Sequence, residues 1–294
     1  MLVLLAPAAL AAEGMWLPEQ IPGLADRLAA DGITVDPAEL ADLDGDVTGA
    51  VVSLGGCTAS FVSPDGLLVT NHHCVQRSVQ HNSTPERDLL KNGFLAKTRA
   101  EELPSVPGTY VYVTTGTRDV TSEVLAGLKP KVKDLERQQL VEQRERALVD
   151  ACELQPGTRC KVVRIWEGTT FLLVTQRELQ DVRLVYAPPV GVGNFGGEVD
   201  NWTWPRHTGD FAFLRAYVGA NGFAAAPAPD NVPFHPPHWL EVATEPLEDG
   251  DAVMVLGYPG RTFRFETADE LAAAATFAWP EGVRWGRSAP RGSR

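Results

Sequence analysis

Thr70-Asn71-His72-His73-Cys74 closes an apolar, strand-like run, Gly66-Leu67-Leu68-Val69, and a second cysteine, Cys57, lies shortly upstream. A bridge between Cys57 and Cys74 would anchor the end of that run, and the Ser63-Pro64-Asp65-Gly66 turn between them sets the register. The segment Val51 to Val69 is thereby confined to a β-hairpin from whose end a histidine emerges. A histidine held in this way meets the positional requirement for a general base.

Further along, Val162 to Ile165, Phe171 to Val174, Val182 to Tyr186, Phe211 to Val218 and Ala252 to Leu256 are short apolar or alternating runs divided by Gly and Pro. They predict strands of an antiparallel sheet or barrel. Helices are expected over Met15 to about Asp44, with Ile21, Leu24, Leu28 and Ile33 on one face, and over Thr84 to Ala96, Thr121 to Ala151 and Thr267 to Ala275. The chain therefore reads as mainly β with helical insertions. After Trp279-Pro280 the residues turn Arg-, Ser- and Gly-rich, with too little apolar content to pack as an element.

The formal charge of −12 argues against a nucleic-acid partner, which calls for clustered Lys and Arg. Residues 1–12 resemble the later part of a signal peptide, with Ala9-Leu10-Ala11 as its cleavage site, and no apolar run reaches the roughly 20 residues of a membrane span. Four cysteines form two sequence-local pairs, Cys57 with Cys74 and Cys152 with Cys160, as in an oxidising compartment. The zinc alternative is weak: no C-x-x-C is present, and adjacent His73 and Cys74 fit poorly around one tetrahedral ion. No metal and no cofactor are expected.

In a Ser-His-Asp enzyme of the chymotrypsin-like type, the histidine precedes the acid and the acid precedes the serine. The His-Cys order favours His73 as base, with His72 as the alternative. Asp210, opening the alternating run Phe211-Ala212-Phe213-Leu214, suits the orienting acid, although a strand-start cap explains it equally well. Asp200 is the runner-up, and Asp119 reads as a helix N-terminal residue. The Gly-rich run Val190 to Gly197 leads into Glu198-Val199-Asp200-Asn201-Trp202-Thr203-Trp204-Pro205 and not into a helix, so it does not read as a phosphate cradle. Asn201 there can offer its side-chain carbonyl to a protonated amine.

Gly55 to Gly66, Thr70 to Cys74, Asn194 to Trp202, Trp204 to Phe211 and Gly257-Tyr258-Pro259-Gly260-Arg261-Thr262 together resemble the bacterial S46 peptidases, periplasmic or surface dipeptidyl-peptidases. The resemblance runs in order from about Glu13 to Thr267. It implies a chymotrypsin-like double β-barrel with a helical domain over the active site, His73 as general base, Asp210 as its acid, and Asn201 and Trp202 as ligands of the substrate's α-amino group. The substrate it implies is a peptide with a free N-terminus, and it suggests a homodimer for the full-length enzyme. Thr203 stands where the family often has Met.

The domain layout expected is a signal remnant at 1–12, part of a peptidase domain over 13–265 with a helical insertion near 121–151, and the start of a helical domain with an atypical tail over 266–294. Only Ser288 and Ser293 follow Asp210, neither in a Gly-x-Ser-Gly turn. The chain thus reads as an N-terminal portion that lacks the nucleophile, with exposed apolar surface and poor solubility expected on its own. Two rivals remain: a non-catalytic module that binds peptide N-termini, and an endopeptidase, which would need a serine.

Overall fold

The computed structural model describes residues 15–128, 133–155, 157–201, 203–260 and 266–288. The signal-like residues 1–12 and the last six residues lie outside them. The described residues fall into two compact units, divided between Tyr258 and Pro259.

The first unit is built on eleven strands: β1 (Val51–Ser53), β2 (Thr58–Phe61), β3 (Leu67–Thr70), β4 (Phe94–Leu95), β5 (Leu103–Pro104), β6 (Val111–Asp119), β7 (Thr158–Ile165), β8 (Thr170–Leu179), β9 (Asp181–Ala187), β10 (Ala212–Val218) and β11 (Val232–Pro233). Its helices are α1 (Ala25–Ala30), α2 (Pro37–Ala41), α3 (His72–His81), α4 (Leu89–Asn92), α5 (Thr121–Val124), α6 (Asp134–Cys152), α7 (Val190–Gly193) and α8 (Gly197–Asp200). All strands pair antiparallel in one sheet, ordered β4-β9-β10-β3-β2-β1-β6-β8-β7, with β5 added to β9 and β11 to β10.

This path is open, which corrects the expectation of a chymotrypsin-like barrel. The end strands β4 and β7 do not pair with each other, and helical residues outnumber strand residues, so the chain is not mainly β either. The physical reason lies in two separate cores. Phe61, Leu68, Val75, Val79, Val111, Val113, Leu179, Leu184 and Leu214 belong to the first, around the central strands. Val120, Val124, Val141, Cys160, Phe171 and Leu173 form the second, where α5 and α6 pack on β7 and β8. The long strand β8 runs from one core into the other, with Leu179 in the first and Phe171 and Leu173 in the second, where helix covers it, and among the described residues β7 pairs only with β8. Closure into a barrel requires the end strands to bond each other.

The Ser63–Gly66 turn joins β2 to β3. The Ser63 hydroxyl accepts from the Asp65 amide at 3.0 Å, and Gly66 has a φ of +70° with the Phe234 and Ala216 carbonyls 2.7 and 2.9 Å from where a Cβ would stand. Only glycine fits both the conformation and the approach.

Several sequence expectations are redrawn. The Met15 to Asp44 helix is a 3₁₀ turn (Pro18–Leu24) followed by α1 and α2, interrupted at Gly32. Of Thr84 to Ala96 only α4 is helical, and Phe94-Leu95 join the sheet as β4. Ala252 to Leu256 forms no strand. In the second unit, α9 (Ala268–Ala273) begins with a reciprocal Thr267/Glu270 capping box and continues through a π-helical turn into α10 (Trp279–Ser288). Much of the segment expected to be an unstructured tail is thus helical.

Candidate active site

β10 pairs with β3 in the register Ala212↔Thr70, so the residues just before β10 lie beside those just after β3. That pairing brings Asp210 to His73 across 137 positions of sequence. Stacking of Phe211 on Tyr186, with ring centroids 5.7 Å apart, fixes the entry into β10.

The two histidines stand on the first turn of α3 and not on a strand end. Successive helical residues point about 100° apart. His72 shares the inward stripe with Val75 and Val79, spaced i, i+3 and i+7, and is 1% exposed. His73 turns outward with 64% of its side chain exposed.

His73 Nδ1 lies 2.8 Å from Asp210 Oδ2, and the His73 amide donates to Asp210 Oδ1 at 3.0 Å. Asn71, at the N-cap of α3, leaves its own helix uncapped and instead donates from Nδ2 to the Asp210 carbonyl and to Oδ2, at 3.1 and 3.3 Å. Asp210 therefore takes the place of a local cap: it satisfies an orphan amide at the positive end of a ten-residue helix while it holds the imidazole. Burial pushes the Asp210 carboxyl up, but hydrogen bonds from the His73 amide and ring, the adjacent His73 and Asn71 outweigh burial and hold the group below its ordinary range. An ionised carboxylate only accepts, so Nδ1 carries the proton and Nε2 is left as the basic nitrogen. Nothing in the sequence singles out Asn71 for this role.

Cys57 and Cys74 form a disulfide with Cα atoms 6.2 Å apart, tying the start of β2 to the first turn of α3. Cys152 and Cys160 form the second, with Cα atoms 6.1 Å apart, joining the end of α6 to β7. Cys57, Cys74 and His73 place possible ligand atoms within 4.8 Å of one another, but the thiolates a zinc ion needs are consumed in the disulfide. Replacing Cys57 and Cys74 together by Ser is expected to lower stability by about 3 kcal/mol, the loop-entropy value for a closure of this length. Urea unfolding under oxidising conditions measures it, and an unchanged midpoint would contradict the assigned role of the bridge.

The connection from β9 to β10 carries the remaining candidates. Contrary to the sequence reading, its Gly-rich part forms two single helical turns, α7 and α8. Its base is pinched by the Gly209 amide donating to the Val192 carbonyl at 2.9 Å and the Thr208 hydroxyl donating to Gly193 at 3.1 Å. Asn201 follows α8, and Arg206 Nη1 donates both to Asn201 Oδ1 at 3.1 Å and to the Asp200 carbonyl at 3.0 Å. One of the two lone pairs of the Asn201 carbonyl is thus engaged and one is left for a ligand. Asn201, Thr203, Trp204 and Arg206 line an open depression of ≈ 390 Å³. Trp202 lies outside the described residues. The alternative acids are placed elsewhere: Asp200 ends α8, and Asp119, at the end of β6, accepts from the Thr121 amide at 2.8 Å at the start of α5. Among the described residues, no helix is long and apolar enough to cross a membrane.

Comparison with known proteins gives this geometry a context. The chain is 44% identical over 279 residues to the Asp/Glu-specific dipeptidyl-peptidase of Shewanella putrefaciens, an alignment covering 95% of the chain and 38% of that protein. It is 35% identical over 291 residues to dipeptidyl-peptidase 7 of Capnocytophaga gingivalis, covering 97% and 40%. Among solved structures, Porphyromonas endodontalis DPP11 in complex with the dipeptide Arg-Asp superposes with a TM-score of 0.80 at 36% identity, covering 89% of this chain and 39% of that one. The chain spans about two fifths of the length of the relatives it matches. The family model described as Peptidase S46 matches residues 11–288, and the chain belongs to that family of peptidases.

Proposed function

We propose that the protein is a serine-type dipeptidyl-peptidase, to which this chain contributes the general base, its orienting acid and part of the site for the substrate's α-amino group. The single observation that carries the reading is the His73–Asp210 pair, with Nδ1 fixed at 2.8 Å and the ring exposed. In this scheme His73 Nε2 takes the proton of an attacking serine hydroxyl and later delivers it to the leaving amine, while Asp210 stabilises the imidazolium formed in between. The free carbonyl lone pair of Asn201, together with Trp202, tethers the substrate ammonium. Only two residues then reach the scissile bond, and cleavage releases dipeptides.

The nucleophile belongs, in this proposal, to the part of the relatives' length that the chain does not cover. Ser288 does not qualify, because its hydroxyl is bonded back to the Arg284 and Trp285 carbonyls of α10. A secreted protein, periplasmic or at the cell surface, agrees with the two disulfides. A homodimer is proposed for the full-length enzyme.

The test uses fluorogenic dipeptides with a free amine, their N-acetylated counterparts, and acidic or apolar residues in the dipeptide, since one relative is named as Asp/Glu-specific. The full-length protein is expected to bind and release dipeptides only from the free amines. Asn201→Ala should weaken that binding about tenfold, the loss of one charge-assisted hydrogen bond. Equal cleavage of blocked and free peptides would overturn the reading.

A further inference from the structure

His73 and Asn201 are carried by different elements, α3 and the far part of the β9–β10 connection. His72 touches both supports. Its ring is buried within the first turn of α3 and lies near the Pro188 carbonyl, where the connection starts. It also packs closely against Gly193, the last residue of α7: a Cβ added there would stand 2.3, 2.4 and 2.7 Å from the ring's Cγ, Nδ1 and Cδ2. Gly193 is the same residue whose carbonyl accepts from Thr208 where the connection is pinched, two positions before Asp210. Among the described residues, His72 Nε2 has no hydrogen-bond partner, an uncommon cost for a buried nitrogen. Burial pushes the imidazole down more than the nearby Asp210 carboxylate raises it, which keeps the ring neutral and inserted.

We propose that His72 is a positioning residue, whose buried ring docks the Pro188–Gly193 base of the amine-binding connection onto the first turn of α3 and so holds Asn201 and His73 at one spacing. This assignment rests on the dipeptidyl-peptidase reading. It also accounts for Gly193, since any larger residue would drive the connection off the histidine turn.

A size-exchange cycle tests it: Gly193→Ala, His72→Ala and the two combined, with His72→Asn replacing His72→Ala if that variant does not fold. Hydrogen exchange at the His73 and Gly209 amides, and binding of a free-amine dipeptide, are read on each protein. Gly193→Ala is expected to speed exchange at both amides and to weaken dipeptide binding, each about tenfold, a coupling usual for residues in contact. Trimming His72 in the Gly193→Ala background should restore part of both, because the clash is gone. Additive losses, or unchanged exchange in Gly193→Ala, would overturn the contact. Exchange that follows the cycle while dipeptide affinity stays constant would overturn the positioning role. If the wild-type full-length protein neither binds nor releases a dipeptide, the enzymatic reading falls and the positioning role with it, while exchange still decides the contact.

Discussion

On the proposed dipeptidyl-peptidase reading, Asp210→Asn is expected to lower kcat of the full-length protein by about 10⁴, the loss typical when the acid of a Ser-His-Asp triad becomes an amide and the imidazole settles in the wrong tautomer. The substitution conserves volume, yet removes the charge that accepts from the His73 ring and amide and from Asn71. Stability should fall as well, by about 1–3 kcal/mol at neutral pH, because charge-assisted bonds at a helix start are lost. The sign of the pH dependence follows from the depressed carboxyl. A folded-state value below the ordinary 3.8 stabilises the fold fully above that ordinary value, and the contribution disappears as pH falls through the folded value. Wild type and Asp210→Asn should therefore converge in stability on acidification below about pH 4. Steady-state kinetics and urea unfolding across pH give the answer, and a stability gap independent of pH would contradict the assigned hydrogen bonds.

Glu102→Ala should cost more stability than any surface substitution, about 3–5 kcal/mol, through an uncompensated buried charge. Glu102 joins β5 to β10 from the inside. Its carboxylate accepts from Arg215 Nε at 2.8 Å and from the Tyr217 hydroxyl at 2.7 Å, with the two charged side chains only 2% and 13% exposed. Burial and the Glu102 carboxylate push the Tyr217 hydroxyl up to about 12, so it remains a donor at any working pH. The same ring lies under Arg183, whose guanidinium is 3.8 Å from its centroid and pairs with buried Asp181. Removing one carboxylate strands a guanidinium and a hydroxyl in a network that also borders the strand leading from Asp210. Arg99→Ala, which breaks the exposed pair with Asp65, should cost under about 1 kcal/mol. Denaturant unfolding of both variants measures the contrast, and equal effects would refute the weight placed on burial.

Local patterns made much of the chain readable. The hairpin turn, both cysteine pairs, and the cores of β7, β8, β9 and β10 are visible as periodicity and spacing, because each depends on residues close in sequence. β6 leaves little signal although Val111-Tyr112-Val113-Thr114-Thr115 is rich in β-branched residues, because only its first half enters a core and Thr117, Arg118 and Asp119 are exposed, so no apolar alternation runs along it. The converse holds at Ala252 to Leu256, where an apolar run with good strand propensity has no strand neighbour to bond among the described residues. The apolar run before it puts the histidine pair at a strand end, yet His72, Val75 and Val79 carry helical spacing.

Taken alone, the amino-acid sequence determined which side chains could serve as base, acid and amine ligand, and in what order they occur, since residue chemistry and chain order are properties of the string. Only the tertiary structure decided that Asp210 rather than Asp200 or Asp119 meets His73, that His72 turns inward, and that the sheet stays open. Each of these is a long-range outcome, set by the pairing of β10 with β3 and by the helices that pack on β7 and β8. Contacts between residues more than a hundred positions apart leave no local signature.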